Sequence, residues 1–166
     1  MSRIHLKLPG STPLAEARSE MLWHIETKNG VECPCCNRTN KVYPRGIHWQ
    51  SAAWLCVLIK KYITEPRWYA VTEFSSRGGD YAKLRYWDLV ELKKEVEGDK
   101  RTSGLWKPTK KGIEFAQGKI RIPSKALIYN GNLLGFDCDN DVDILDILET
   151  SKGQFRWSEV MKRVEI

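Results

Sequence analysis

The chain has 166 residues, of which 42% are hydrophobic and 10% aromatic, so its length suits one ordinary domain with a small appendage and its apolar content suffices for a core. No apolar run approaches the length of a membrane span and no signal peptide is recognisable, so we expect a soluble, cytoplasmic protein. The net charge of +6 is uneven: residues 41–111 carry 15 Lys and Arg against 8 Asp and Glu, whereas residues 137–150 carry six acidic residues and no basic ones. This asymmetry favours an anionic partner for a basic face, although solvated surface charges are the alternative.

An amphipathic helix is predicted near the start of the chain. Thr12 followed by Pro13 is a helix-start signal, because proline is well tolerated at the first helical position. Asn29-Gly30 is a helix-stop signal. Between them, residues 14–27 place apolar side chains on one face, namely Leu14, Ala17, Met21, Leu22 and Ile25.

A Cys-Pro-Cys-Cys turn at residues 33–36 follows this helix. The chain has five cysteines, and the odd number with three clustered argues against a secreted disulfide framework. Cys33 and Cys36 have the spacing of a zinc knuckle, in which a tight turn aims two thiolates at one metal.

The remaining ligands of such a zinc site are not defined by the spacing. His48 is our first candidate, His24 is another, and a second copy of the cysteine pair across a homodimer would also complete four ligands. The alternative is a proline-initiated turn with reduced cysteines packed beside the helix.

Residues 46–63 form the strongest helical pattern, apolar over more than half of the circumference, and should be the central buried helix. The helix ends at Thr64-Glu65-Pro66. Residues 67–74 are ambiguous and suit a short strand that runs into a second helix.

Residues 79–118 predict a short helix, a strand, a charged turn and a returning strand. The helix covers Asp80 to about Trp87 with Asp80 as its N-cap, and Tyr81, Leu84 and Trp87 recur at a spacing of three. The strand that leaves it contains Leu89, Val90 and Leu92, the turn is residues 97–100, and residues 105–109 return before a single helical turn at 113–118. This order is typical of a winged helix-turn-helix.

The C-terminal part predicts an apolar segment that stops at Pro123, a β-hairpin and two short helices. Asn130-Gly131 is the strongest hairpin signal, because both turn residues accept a positive φ. Residues 142–149 predict a helix with Val142, Leu145 and Leu148 on its inner face. Residues 155–164 predict the last helix.

These elements resemble a group of uncharacterised phage and prophage winged-helix-like proteins with an N-terminal C-P-C-C turn. The shared segments are residues 33–36, 81–91 and 104–118, with Pro123 and residues 129–131. The resemblance implies the winged-helix order and a viral or mobile-element origin, but no activity. Asp88 departs from the group, which usually has glycine there, and should make the exit from the helix less tight.

We therefore predict an α+β fold with three parts. Residues 1–45 form an N-terminal helix and Cys-rich turn, residues 46–118 a winged-helix core, and residues 119–166 a C-terminal hairpin and short helices packed on that core. The predicted function is a phage-type DNA-binding or regulatory protein of the host cytoplasm. It is not expected to be an enzyme, because no catalytic motif is recognisable.

In a winged helix the recognition helix enters the major groove and the wing tip crosses the DNA backbone. The basic residues of these elements are the predicted DNA contacts: Arg77, Lys83, Arg85, Lys100, Arg101, Lys107, Lys110 and Lys111. Tyr86, Trp87 and Trp106 are more often core residues than base-stacking platforms.

The alternative function is a small phage effector that binds a host protein through its acidic segment. Its contact residues would be Asp137, Asp139, Asp141 and Asp143. Their alternate spacing superficially suggests calcium, but the glycine and glutamate of a calcium loop are replaced by Val142 and Leu148.

Overall fold

The computed structural model describes residues 6–28, 30–74, 80–94 and 103–161. These residues form a mixed α+β protein, which confirms the predicted class. The chain divides into two compact units, which we call unit 1 (residues 1–45 and 127–135) and unit 2 (residues 46–126 and 136–166). Within the described ranges, no helix is long and apolar enough to cross a membrane.

The α-helices of the described residues are α1 (Leu14–Lys28), α2 (Trp49–Thr64), α3 (Lys110–Ala116), α4 (Ile144–Glu149) and α5 (Trp157–Met161). The strands are β1 (Val31–Glu32), β2 (Thr39–Asn40), β3 (Tyr43–Gly46), β4 (Tyr69–Ala70), β5 (Val90–Leu92), β6 (Leu105–Pro108), β7 (Ile122–Tyr129) and β8 (Asn132–Val142). Two 3₁₀ segments, Val71–Glu73 and Asp80–Trp87, lie between β4 and β5.

Helix α1 of unit 1 confirms the predicted helix but corrects its inner face. It packs against β1, which follows directly after its last turn, so the covered residues are those near its C-terminal end. Ile25 is buried, as is Val31 of β1, whereas Leu14 is 82% exposed. Leu14 therefore does not belong to a core.

The β7–β8 hairpin confirms the predicted Asn130-Gly131 turn, with φ of +48° and +77° at these two residues. Its strands are longer than predicted. Strand β7 runs through Pro123, where we expected a stop, and β8 continues through the acidic residues to Val142. The sheet that contains the hairpin has the strand order β3-β7-β8, and the hairpin tip belongs to unit 1.

Helix α2 is the centre of unit 2, as its apolar pattern predicted. It packs against β6, α3, α4, α5 and the 3₁₀ helix Asp80–Trp87. Its buried residues include Leu55, Leu58 and Ile59. His48 caps its first turn, because the imidazole Nδ1 accepts a hydrogen bond from the Gln50 amide at 3.4 Å.

The segment predicted as the recognition helix is a 3₁₀ helix over Asp80–Trp87. The 3₁₀ form agrees with the spacing of three between Tyr81, Leu84 and Trp87. A 3₁₀ helix has three residues per turn and therefore brings these residues onto one side. Leu84 and Trp87 are buried, and Tyr81 packs edge-on against Trp106. The Trp87 Nε1–H donates to the Pro123 carbonyl at 2.7 Å.

Asp88 gives this helix a tight exit, contrary to our expectation. It has a φ of +59°, a conformation that glycine adopts freely and that Asp tolerates better than most residues. The Asp88 carbonyl accepts the Thr109 hydroxyl at 2.6 Å. The departure from glycine is therefore accommodated without loosening the turn.

Strands β4, β6 and β5 form an antiparallel sheet in that order. Tyr69 pairs with Trp106, and Glu91 pairs with Lys107. Thr109, predicted in the returning strand, instead caps α3 by accepting the Gly112 amide at 2.9 Å. Helix α3 thus begins at Lys110, three residues earlier than the predicted helical turn.

Helix α4 begins two residues later than predicted and turns a different face inward. Asp143 caps it by accepting the Leu145 and Asp146 amides, both at 2.9 Å. Ile144, Ile147 and Leu148 are buried, whereas Leu145 is 50% exposed. Helix α5 is shorter than predicted over the described residues, and its Trp157 donates to the Ala116 carbonyl at 2.8 Å.

Candidate functional site

The predicted DNA contacts on the sheet and the 3₁₀ helix are engaged by acidic neighbours. Lys107 Nζ lies 3.1 Å from a carboxylate oxygen of Glu91 and 4.6 Å from the centre of the Trp68 ring. Lys83 Nζ lies 2.6 Å from a carboxylate oxygen of Asp80. To contact DNA, either lysine would have to give up its acidic partner for a phosphate. The loss of that ion pair would offset part of the attraction between the lysine and the phosphate.

Three predicted DNA contacts are more open. Arg85 is exposed, and its guanidinium lies 5.2 Å from the centre of the Tyr86 ring. Lys110 has a 92% exposed side chain and only a long 3.9 Å approach to Glu114. Lys111 beside it is also exposed. The other predicted contacts, Arg77, Lys100 and Arg101, lie outside the described residues.

Lys110 and Lys111 occupy the first turn of α3, where no acidic residue accompanies them. Cations at a helix N-terminus face the positive end of the helix dipole, typically at a cost of some tenths of a kcal/mol. Violations of a local stability rule are expected at functional or strained sites. Lys110 and Lys111 are therefore two open cations among the predicted DNA contacts.

The acidic set of the alternative function divides into two paired and two open residues. Asp137 lies 3.5 Å from Lys125 Nζ, and Asp143 lies 2.8 Å from the Arg121 guanidinium. Asp139 and Asp141 are exposed. Asp143 is also the cap of α4, so its carboxylate has a structural role.

Arg121 ties the base of the acidic strand to α4. Its guanidinium also contacts the Asp146 carboxylate at 2.9 Å and the Asp141 carbonyl at 2.7 Å. The Asp146 carboxylate accepts the Asp143 amide, and this hydrogen bond, together with Arg121, lowers the pKa of Asp146. The acidic cluster is thus largely a helix-capping network with two outward-facing carboxylates.

A groove beside α4 was not predicted. It has a volume of about 490 Å³ and is lined by Leu145, Asp146, Leu148, Glu149, Ser151, Gly153, Phe155 and Trp157. Ser151 is 2% exposed, and its hydroxyl has no hydrogen-bond partner among the described residues. The helical pattern of residues 144–148 could have shown Leu145 facing outward, because Ile144, Ile147 and Leu148 alone make a complete inner face.

The Cys-Pro-Cys-Cys turn connects β1 and β2 in unit 1. The Cys33 amide donates to the Arg38 carbonyl, and the Asn37 amide donates to the Cys33 carbonyl, both at 2.9 Å. The backbone amides of Cys35 and Cys36 hydrogen-bond to the Cys33 sulfur and lower its pKa. The turn therefore favours a thiolate at Cys33.

The predicted zinc ligands do not form a complete set in this chain. In the part of the chain that is described, no group of three or more His, Cys, Asp and Glu side chains could hold a metal ion. His48 Nδ1 is already an acceptor for the Gln50 amide. His24 Nε2 lies 3.4 Å from Glu20.

We compared the chain with protein-family models, curated proteins and solved structures, and found no match in any of the three.

Proposed function

We propose that this chain is a non-catalytic winged-helix protein of phage type that binds DNA in the host cytoplasm and acts as a regulator. The observation that carries the proposal is the order of elements in unit 2. Helix α2, strand β4, the 3₁₀ segments and the β5–β6 pair follow one another, and β4 pairs with the returning strand β6. This order and strand pairing support the proposal of a winged helix.

The charge of the same stretch supports DNA as the partner. Residues 41–111 carry the excess of basic residues, and lysine and arginine contacts to phosphates supply essentially all of the non-specific affinity of DNA-binding proteins. We assign the principal phosphate contacts to Arg85, Lys110 and Lys111, which are exposed. Lys83 and Lys107 contribute less, because each has an acidic partner.

The test is fluorescence anisotropy with a labelled duplex of mixed sequence at several salt concentrations. We expect the double variant Lys110→Glu/Lys111→Glu to weaken binding and to reduce the slope of log affinity against log salt by roughly two, about 0.9 for each lost phosphate contact. Lys60→Glu, an exposed lysine of α2, is the matched control and should leave the slope unchanged. Absence of duplex binding by the unmodified chain at low salt would refute the proposal.

A second candidate function is binding of a host protein, and the groove beside α4 favours it. The groove combines an exposed leucine, a buried hydroxyl without a partner and the carboxylates of Asp146 and Glu149. A groove lined by apolar side chains and carboxylates suits a basic amphipathic helix that inserts an apolar side chain. Asp139 and Asp141 are further exposed carboxylates of the same unit.

This candidate has a separate test. Binding of a synthetic Leu/Lys amphipathic helix should be weakened by Leu145→Lys and by Asp139→Lys/Asp141→Lys, but not by Lys110→Glu/Lys111→Glu. Asp143 is left unchanged, because its replacement would remove the cap of α4. Equal binding by all variants would reject the groove as the contact.

A further inference from the structure

A tyrosine of strand β3 in unit 1 lies between two cations. Lys41 Nζ lies 5.4 Å from the centre of the Tyr43 ring, and the guanidinium carbon of Arg45 lies 5.2 Å from the same point. Both distances are within the range of a cation–π interaction. Tyr43 is 40% exposed, and Lys41 and Arg45 are exposed as well. The structure therefore holds an aromatic ring and two positive charges together at the surface.

The chain segment around Tyr43 is positively charged. Residues 38–45, with the sequence RTNKVYPR, contain two arginines and one lysine but no aspartate or glutamate. A local charge of this sign attracts an anionic ligand. Lys83 and Lys107 of unit 2 differ, because each of them lies beside a carboxylate.

Strand β3 offers side chains rather than backbone groups to such a ligand. It lies at the edge of the sheet with the order β3-β7-β8, and all four of its residues are exposed. Its second residue, Pro44, has no amide hydrogen to donate. An edge strand that contains proline is poorly suited to pair with a further strand. We therefore expect a ligand of this surface to bind the ring and the cations and not to extend the sheet.

A nucleotide with an unpaired base has the complementary chemistry. Proteins bind single-stranded nucleic acids by stacking bases on aromatic side chains, while basic residues contact the backbone phosphates. In a duplex the bases are already paired and stacked, so only a single strand offers a free base face to the ring. Stacking of a base on an aromatic ring is stronger than a cation–π contact at an exposed site. A base can therefore displace a cation from the Tyr43 ring, and that cation is then free to contact a phosphate.

We infer that Lys41, Tyr43 and Arg45 form a binding site for single-stranded nucleic acid. An unpaired base stacks on the Tyr43 ring, and the two cations contact neighbouring phosphates. Every base has a π face, so the site binds unpaired bases with little preference for sequence. This inference does not rest on the proposed function, because the three residues belong to unit 1, whereas the phosphate contacts proposed for duplex DNA belong to unit 2.

The experiment is fluorescence anisotropy with a labelled thymidine oligonucleotide of about ten nucleotides. An abasic oligomer of the same length, which has the phosphates but no bases, is the control ligand. Tyr43→Ala should weaken binding of the oligonucleotide at least about fivefold and leave binding of the abasic oligomer unchanged, because only stacking is lost. A uridine oligonucleotide should respond in the same way, since stacking does not use the 2′-hydroxyl. Equal affinity of the unmodified chain for the oligonucleotide and the abasic oligomer, or no single-strand binding at all, would overturn the inference.

Two matched variants show whether the effect belongs to this ring. Tyr43→Phe retains an aromatic face and should keep the affinity within about twofold. Trp23→Ala removes another exposed aromatic ring of unit 1 and should leave the affinity unchanged. A loss in Tyr43→Phe or Trp23→Ala as large as that in Tyr43→Ala would contradict stacking at Tyr43.

Charge variants test the cations and separate this site from the duplex contacts. Lys41→Gln/Arg45→Gln should reduce the slope of log affinity against log salt by roughly 1.4 for the oligonucleotide, about 0.7 for each lost phosphate contact. Lys110→Glu/Lys111→Glu should keep the preference for the oligonucleotide over the abasic oligomer, and Tyr43→Ala should leave duplex binding unchanged. An unchanged slope in Lys41→Gln/Arg45→Gln, or loss of the preference in Lys110→Glu/Lys111→Glu, would refute the site in unit 1.

Discussion

Unit 1 and unit 2 place their large apolar side chains differently. Among the described residues, 21 of the 24 buried hydrophobic residues belong to unit 2, and only Ile25, Val31 and Ile128 belong to unit 1. The exposed hydrophobic residues have the opposite distribution. Unit 2 thus has an apolar core around α2, whereas unit 1 leaves most of its large apolar side chains exposed.

The two units therefore contribute unequally to the stability of the chain. Burial of apolar surface contributes roughly 25 cal/mol per Å², so the unit with the larger core supplies most of the folding free energy. Unit 1 contains most of the exposed apolar residues and the solvent-accessible cysteines of residues 33–36. Four pairs of matched residues, one from each unit, test this difference.

The largest contrast is between the thiols of Cys33 and Cys56. Backbone hydrogen bonds hold the pKa of Cys33 below its ordinary value, whereas burial raises the pKa of Cys56 to about 12. At pH 7.5 the thiolate fraction of Cys33 should be larger by at least about 1,000-fold, because each pKa unit is a factor of ten. Timed alkylation of metal-free protein, followed by peptide mass spectrometry, measures the difference in reactivity between the two thiols. Similar rates at the two sites would show that unit 2 does not protect its core.

The next contrast is between two tryptophans. Trp87→Ala removes a buried ring and its hydrogen bond to Pro123, and should lower the free energy of unfolding by about 3–5 kcal/mol. Trp23→Ala removes a ring that is 51% exposed. This substitution should change the free energy of unfolding by less than about 0.5 kcal/mol. Chemical denaturation of the metal-free monomer compares them. A cost of several kcal/mol for Trp23→Ala would place that ring in a core.

A smaller effect is expected from a single methyl group on glycine. A Cβ at Gly112 would lie 2.0 Å from the Leu89 carbonyl oxygen, so α3 and the chain before β5 would have to separate. Gly112→Ala should therefore cost about 1–3 kcal/mol despite the higher helix propensity of alanine. Gly10→Ala in unit 1 is the control, because no atom lies within 4 Å of its added Cβ. Equal melting temperatures of the two variants would refute this close packing.

The smallest effect concerns the two left-handed turns, at Asp88 in unit 2 and Asn37 in unit 1. Asp88→Gly should change the free energy of unfolding by less than about 0.5 kcal/mol, because relief of strain and loss of chain rigidity oppose each other. Asp88→Val should cost about 1–2 kcal/mol, since a β-branched residue is strained at this φ. Asn37→Val should cost less globally, because a two-residue ribbon can open locally. Denaturation midpoints of the variants measure these losses of stability. A larger loss in Asn37→Val than in Asp88→Val would contradict the prediction.

Some residues of the candidate sites, and some of their contacts, could be predicted from the sequence, whereas others could not. Cys33 and Cys36 could be singled out from their spacing alone, because the turn that joins them is local. The acidic partners of Lys83 and Lys107 illustrate two cases. Asp80 is three residues from Lys83 on the same helix and could have been anticipated. The pairing of Glu91 with Lys107 depends on the register of β5 against β6.

The amino-acid sequence alone determined the locally encoded features of this protein. These are the apolar pattern of α2, the Asn130-Gly131 turn, the three-residue spacing of the 3₁₀ helix and the cysteine turn, all of which depend on neighbours a few residues apart. Only the tertiary structure decided which lysines and aspartates are already paired, that the hairpin tip belongs to unit 1, and that Leu145 faces a groove. These features depend on contacts between residues distant in the chain, which no local pattern specifies.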